Sequence, residues 1–355
     1  MAEFKLGQRR SLDGVRGLAI LFVLLSHVPS LPFGGGFIGV DLFFVLSGFL
    51  ITTLLLEERQ ETGTVSLKAF YVRRALRLLP ALAAMLAAMV VMVAVFDAPG
   101  EAANARTSAI MTLLYSSNWF MAYKAFPFPG LSATWSLSVE EQFYLVWPLL
   151  LITLLKLKLP PRGMVAVVAA GMLLSAALRA LLWKTTGSFE RVFFGSDTHA
   201  DGLLAGSLAG LLLSQGWVPP SRLLRLAAHV VLGILFLFLY WGWLADDYVL
   251  AGGLFILNLG MTALVVALVR DPGPLLLGFF EFGPLAWLGR ISYGVYLWHM
   301  VVFGFSGRLP LLKRAGSWPL TIALTIAVAA LSFYLLERPL LRLKRRFSRV
   351  SPHSP

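Results

Sequence analysis

The chain has 355 residues, 58% of them hydrophobic and only 14% charged, with a net charge of +12 and no cysteine. A mean hydropathy of +0.79 excludes an ordinary soluble domain and predicts an all-α protein threaded repeatedly through a bilayer. Without cysteine there are no disulfides, zinc–thiolate sites or thiol nucleophiles. Sparse charge without basic–aromatic repeats argues against a nucleic-acid partner.

Eleven apolar stretches stand out: 12–33, 36–56, 78–97, 107–123, 141–157, 163–184, 200–216, 224–244, 249–270, 284–306 and 318–336. The first, in "SLDGVRGLAILFVLLSH", carries Asp13, Arg16 and His27. A helix turns about 100° per residue, so residues eleven apart return to one face roughly 16 Å apart along the axis. The three polar residues therefore form one stripe, and charges within a span usually face a bundle interior or a wet cavity. Snorkelling to the interface is the alternative for Arg16. No small-residue cleavage site follows and a second span comes at once, so this stretch is expected to stay as a helix.

The next stretch is joined to it by "SLPFGGGF". With a pivot near Gly34, His27 and Asp41 fall at similar depth, and a carboxylate beside an imidazole would fix its tautomer and stabilise its cation. A helix-packing hydrogen bond is the other reading of Asp41. "FYVRRALRLLP" then sets Arg73, Arg74 and Arg77 just before the third span. These arginines are either a topogenic basic loop or a fork for phosphate groups.

Stretch 107–123 is short and polar, with Ser116, Ser117 and Asn118, and a loop rich in Pro, Gly and aromatics follows it. If it does not span and the N-terminus is cytoplasmic, the inner segments collect 20 of the 30 Lys and Arg and the outer ones 7. That bias fits the positive-inside rule. It predicts about ten transmembrane helices with both termini cytoplasmic, and an outer loop over 98–139 able to dip into the membrane. In "TWSLSVEEQFYLVWP", Glu140 and Glu141 open a helix at its outer end, at the depth expected for His27 and Asp41. Neighbouring carboxylates diverge by about 100°, so one can cap the helix while the other faces inward. Asp197, His199 and Asp201 in "GSDTHADGLLAG" either read an acceptor or cap a helix, and no metal is expected there. The motif "GRISYGVYLWH", with Tyr296 and His299 on neighbouring turns, reads mainly as packing. Residues 1–346 form one membrane domain and 347–355 a basic, polar, disordered tail.

Taken together and in order, "SLDGVRGLAILFVLLSH", "GVDLFFVLSGFLI", "YVRRALRLLP", "TWSLSVEEQFYLVWP" and "ISYGVYLWH" resemble the integral-membrane acyltransferase-3 family. The resemblance implies ten core helices and O-acylation of sugars, with acyl-CoA, commonly acetyl-CoA, as co-substrate and no resident cofactor. It places the family's Arg-x10-His pair on Arg16 and His27, and its second-helix acid on Asp41. Its arginine motif falls on Arg73, Arg74 and Arg77, and its glutamate on Glu140. Some members carry a secreted esterase-like domain after the last helix. This sequence ends soon after "LLERPLLRLKRR", so acceptor chemistry is expected within the membrane domain.

The expected enzyme is thus a plasma-membrane O-acyltransferase acting between acyl-CoA and a carbohydrate-containing acceptor. His27, Asp41 and Glu140 are the expected catalytic group, with His27 as general base or as acyl carrier. Arg16, Arg73, Arg74, Arg77, Glu141, Asp197 and Asp201 are the expected substrate contacts. A transporter or flippase with an Asp/Glu/His proton relay is the rival, because intramembrane acids and histidines serve there equally well.

Overall fold

The computed structural model describes residues 5–28, 30–96, 99–217, 219–242, 246–308, 312 and 318–344; the expected tail over 347–355 lies outside them. Within these residues every regular element is helical. In chain order they are α1 (Arg10–Ser26), α2 (Ile38–Thr62), α3 (Leu67–Phe96), α4 (Pro99–Leu113), α5 (Ser117–Ala122), α6 (Trp135–Lys156), α7 (Pro161–Thr186) and α8 (Phe189–Phe194). There follow α9 (Asp201–Ser214), α10 (Ser221–Trp241), α11 (Leu254–Arg270), α12 (Gly273–Phe280), α13 (Gly283–Arg290), α14 (Ser292–Phe305), α15 (Trp318–Ser332) and α16 (Arg338–Lys344). Seven helical segments among the described residues are long and apolar enough to cross a membrane. Stretches 12–33, 200–216 and 284–306 fold into shorter helices: α1, α9 and the α13–α14 pair. The protein is an all-α, multi-pass membrane protein.

Helix packing relies on close backbone approach, as expected where lipid supplies no hydrophobic drive between helices. A β-carbon built on Gly48 of α2 would lie 1.8 Å from the Leu203 carbonyl oxygen of α9. One on Gly206 of α9 would lie 1.9 Å from the Val45 oxygen of α2. Each helix therefore meets the other at a glycine. The crossing sets the start of α9 against the N-terminal half of α2.

The segment after α3 does not form one span over 107–123. It breaks between α4 and α5, where Tyr115 takes a left-handed φ of 50°. A ladder of buried side chains holds it to α6 and the loop after α8. Ser117 meets Ser138 at 2.7 Å, Gln142 donates to the Tyr115 carbonyl at 2.7 Å and to Asn118 at 2.9 Å, and Ser196 donates to Gln142 at 2.5 Å. Leu114 and Tyr115 share a cavity with Tyr71 and Arg74 near the start of α3. These side chains tie the irregular backbone to α6, while Leu113 and Leu114 at the break stay exposed.

Candidate active site

Two cavities adjoin inside the bundle. The inner one, about 70 Å³, is lined by Arg16 of α1, Arg74 and Arg77 of α3, Ser47 of α2, Glu140 and Tyr144 of α6, and Tyr293 and Tyr296 of α14. Glu140 is the one acid among the described lining residues. It accepts hydrogen bonds from the Ser47 and Tyr144 hydroxyls. The Arg74 guanidinium sits over the Tyr144 ring, 3.7 Å from its centroid, a cation–π contact that holds the charge in place. Three guanidinium groups therefore face one carboxylate in a confined space, an arrangement suited to a multiply charged anion.

The outer cavity, about 220 Å³, is lined by His27 and Ser26 of α1, Phe37, Ser132 and Ala133, Trp135 of α6, and Phe189, Phe193 and Phe194 of α8. His27 caps the C-terminus of α1, and its side chain is accessible. Its Nδ1 lies 2.8 Å from the Val23 carbonyl oxygen. A carbonyl can only accept, so Nδ1 carries the proton and Nε2 of the neutral ring keeps its lone pair. A general base needs that atom free.

Val40 and Tyr296 line both cavities. The Tyr296 hydroxyl donates to the Ala133 carbonyl at 2.6 Å and lies 2.6 Å from Ser136 Oγ. Ser136 faces the inner cavity and Ala133 the outer one. One tyrosine and its two partners thus form the wall between them.

Several expected partnerships come out differently. Asp41 does not sit beside His27; it pairs with His199, whose Nε2 is 2.9 Å from Asp41 Oδ1. The reason is the register of the first hairpin. A β-carbon on Gly36 would meet the Phe22 oxygen, and one on Gly39 the Ala19 oxygen, each at 2.2 Å. The loop folds back along α1 instead of turning symmetrically at Gly34. Asp41 therefore lies roughly ten residues, about 15 Å, deeper than His27. His199 Nδ1 in turn donates to the Phe193 carbonyl at 2.8 Å, so neither ring nitrogen is left for a substrate. The pair fixes Phe193 in the outer cavity wall.

Glu140 also lies deeper than expected. A 3-10 turn over Pro129–Thr134 carries the chain into the bundle before α6 starts, which brings Glu140 to the arginines instead of to His27. Glu141 diverges from it as predicted and lines a third cavity, about 260 Å³, with Arg74, Tyr115 and Gln142. Arg73 separates from Arg74 and Arg77: it donates to Glu58 of α2 at 3.1 Å, outside the inner cavity. Asp201 is buried and receives both ends of the Arg179 guanidinium at 2.8 Å, so it meets no acceptor. Asp197 forms an outer ion pair with Arg191 at 2.5 and 2.9 Å, and this hydrogen bond raises the Arg191 guanidinium above its ordinary value. Asp197, His199 and Asp201 thus turn to three different partners.

Ser47 and Tyr144 escaped the sequence reading, and of these Tyr144 carried a signal, lying one helical turn after Glu140; Arg179 stood out only as a charge within an apolar span.

An all-α membrane bundle with cationic and histidine-bearing cavities back to back defines a class, and the comparisons agree on it. A family model described as an acyltransferase domain matches residues 9–337, and the chain belongs to that family, acyltransferase-3. It is 34% identical over 346 residues to the peptidoglycan O-acetyltransferase OatA of Listeria monocytogenes, covering 93% of this chain and 55% of the relative. A putative peptidoglycan O-acetyltransferase of Bacillus subtilis is 33% identical, with 93% and 54% covered. A putative O-acetyltransferase of Staphylococcus aureus is 32% identical, with 92% and 56% covered. The chain therefore spans just over half the length of the curated relatives it matches. No solved structure matches it.

Proposed function

We propose that this protein is a plasma-membrane O-acyltransferase that moves an acyl group, acetyl by analogy with its relatives' names, from cytoplasmic acyl-CoA to a hydroxyl of a carbohydrate acceptor. The observation that carries this reading is the pairing of two cavities across Tyr296: three guanidinium groups on one side and a lone-pair imidazole nitrogen on the other. Coenzyme A is a polyphosphate, and Arg16, Arg74 and Arg77 offer charge-assisted donors to its oxygens. A thioester extended from there reaches toward the Tyr296 wall. The aromatic lining of the outer cavity suits the C–H faces of a sugar ring, with the polar groups few and local.

In the reaction, His27 Nε2 takes the proton of the acceptor hydroxyl as its oxygen attacks the thioester carbonyl carbon. A C–O bond forms and the C–S bond breaks. The departing sulfur takes the proton back from His27, giving an ester and free thiol. The basic tally supports a reading with the arginine-bearing ends of α1 and α3 at the cytoplasm, both termini inside and about ten spans in all.

The test is thiol release by purified protein in nanodiscs, with acetyl-CoA and muramidase-released peptidoglycan fragments. Release that depends on the acceptor is expected, and His27→Ala should lower it by about 10²–10⁴ while remaining folded. A transporter would consume no thioester, so an intact acetyl-CoA pool beside uptake of acceptor would refute the reading.

A further inference from the structure

His27 has a second partner on α14. The His299 ring centroid lies 4.7 Å from that of His27, with the planes at 71°. Phe303 closes the far side, 6.3 Å from each ring. His299 is 1% exposed. Its Nδ1 donates to the Tyr296 carbonyl one turn earlier, so its Nε2 is an acceptor. That Nε2 is buried and has no hydrogen-bond partner among the described residues. A buried polar atom left unsatisfied is uncommon and calls for an explanation.

The surroundings supply one. No carboxylate or guanidinium is among the described residues lining the cavity with His27: Val23 and Ser26 come from α1, Val40 from α2, Ala133 and Trp135 from the α6 entry, and Tyr296 from α14. Asp41, the acid expected there, is committed to His199. An imidazolium formed at His27 would thus have no carboxylate counter-ion in that lining, and its face against buried His299 is turned away from solvent. A neutral imidazole at 4.7 Å, packed edge to face, attracts a cation by its electron-rich ring atoms. The orphan nitrogen thus sets an acceptor, without a partner among the described residues, beside the ring that takes the acceptor's proton.

We propose that His299 is a positioning residue for acyl transfer: a neutral second histidine that stands where a carboxylate would be expected, and favours the protonated His27 formed during the reaction. His299 exchanges no proton itself. The proton passes from the acceptor hydroxyl to His27 Nε2 and on to the thiolate. An interaction made only in the charged intermediate raises turnover without tightening substrate binding. Tyr296, which walls the two cavities with its hydroxyl, orients His299 with its main-chain carbonyl, so one turn of α14 serves both.

This inference rests on the reading of His27 as the base, and the experiment separates the two. Wild type, His27→Ala, His299→Phe and His299→Gln are compared in nanodiscs with acetyl-CoA and muramidase-released peptidoglycan fragments, with folding followed by fluorescence-detected gel filtration. Phenylalanine keeps the ring and removes the acceptor nitrogen; glutamine keeps an acceptor near the position of Nε2. His299→Phe should lower kcat roughly ten- to thirtyfold with acceptor KM little changed, and His299→Gln should recover part of that loss. Wild-type kcat in folded His299→Phe overturns the proposal, and so does an equal loss in both variants, which marks a packing role. Near-normal transfer by His27→Ala instead removes the underlying reading of His27.

Discussion

Exchanging Arg77 for methionine separates donor binding from architecture. Arg77 shares the inner cavity with Arg16 and Arg74, and both cations repel it. Glu140, the acid nearby, is already engaged by Ser47 and Tyr144. Removing one of three clustered positive charges relieves the free protein, so Arg77→Met should unfold no more easily than wild type. The donor loses a charge-assisted contact of about 1.5–3 kcal/mol, a rise of roughly ten- to hundredfold in donor KM. Arg73 is the internal control four residues away. Its partner Glu58 has a side chain only 3% exposed, so Arg73→Met takes a charge-assisted hydrogen bond from a buried carboxylate. Because Arg73 itself is partly solvated, the expected cost is about 1–3 kcal/mol of stability, with donor KM unchanged. Initial rates of thiol release against acetyl-CoA concentration, with thermal unfolding measured on the same preparations, read both effects. The reasoning fails if Arg77→Met leaves donor KM at the wild-type value, or if both variants raise it equally.

Asp201→Asn strands the buried Arg179 charge and should cost about 3–5 kcal/mol, read as a large drop in melting temperature; an unchanged melting point would show that the pair is not what holds α7 to α9. Gly206→Leu forces a side chain into the Val45 carbonyl and should abolish the folded monodisperse peak in gel filtration; a normal elution profile would mean that the α2–α9 crossing differs from the one described. Lys124→Cys, in a chain without cysteine, should react with impermeant maleimide from outside the cell. Labelling only from the cytoplasm would reverse the orientation.

Much of this was legible in the sequence, because spacing along one helix fixes a face and a depth. Arg16 and His27 do point into the bundle, from opposite ends of α1. Arg74 and Arg77 do share a cavity, and the divergence of Glu140 from Glu141 follows from the helical turn alone. Partnerships between helices were not legible. Whether Asp41 meets His27 or His199 depends on where α1 and α2 slide past one another, and Gly36 and Gly39 allow a register that no local pattern specifies. Arg73 looked equivalent to its neighbours because three arginines within five residues carry no sign of which one faces Glu58. The loop before α6 hid the depth of Glu140 in the same way, since a 3-10 turn descending into the bundle has no periodic signature.

The Arg179–Asp201 pair also bears on how the chain is made. A ribosome delivers Arg179 twenty-two residues ahead of its counter-ion, so α7 reaches the translocon with an unneutralised guanidinium, at a cost of about 2.5–3.5 kcal/mol near the bilayer centre. The other half of the pair opens α9, which has 14 residues and extends about 21 Å, short of a hydrocarbon core of roughly 30 Å. Alone, α9 is too short to span, whereas α7 is long and apolar enough to cross a membrane. The ion pair therefore ties a short helix to one that can insert by itself, with α8 carried between them. The outer cavity takes Phe189, Phe193 and Phe194 from α8, so part of its wall hangs on the hairpin that this ion pair closes.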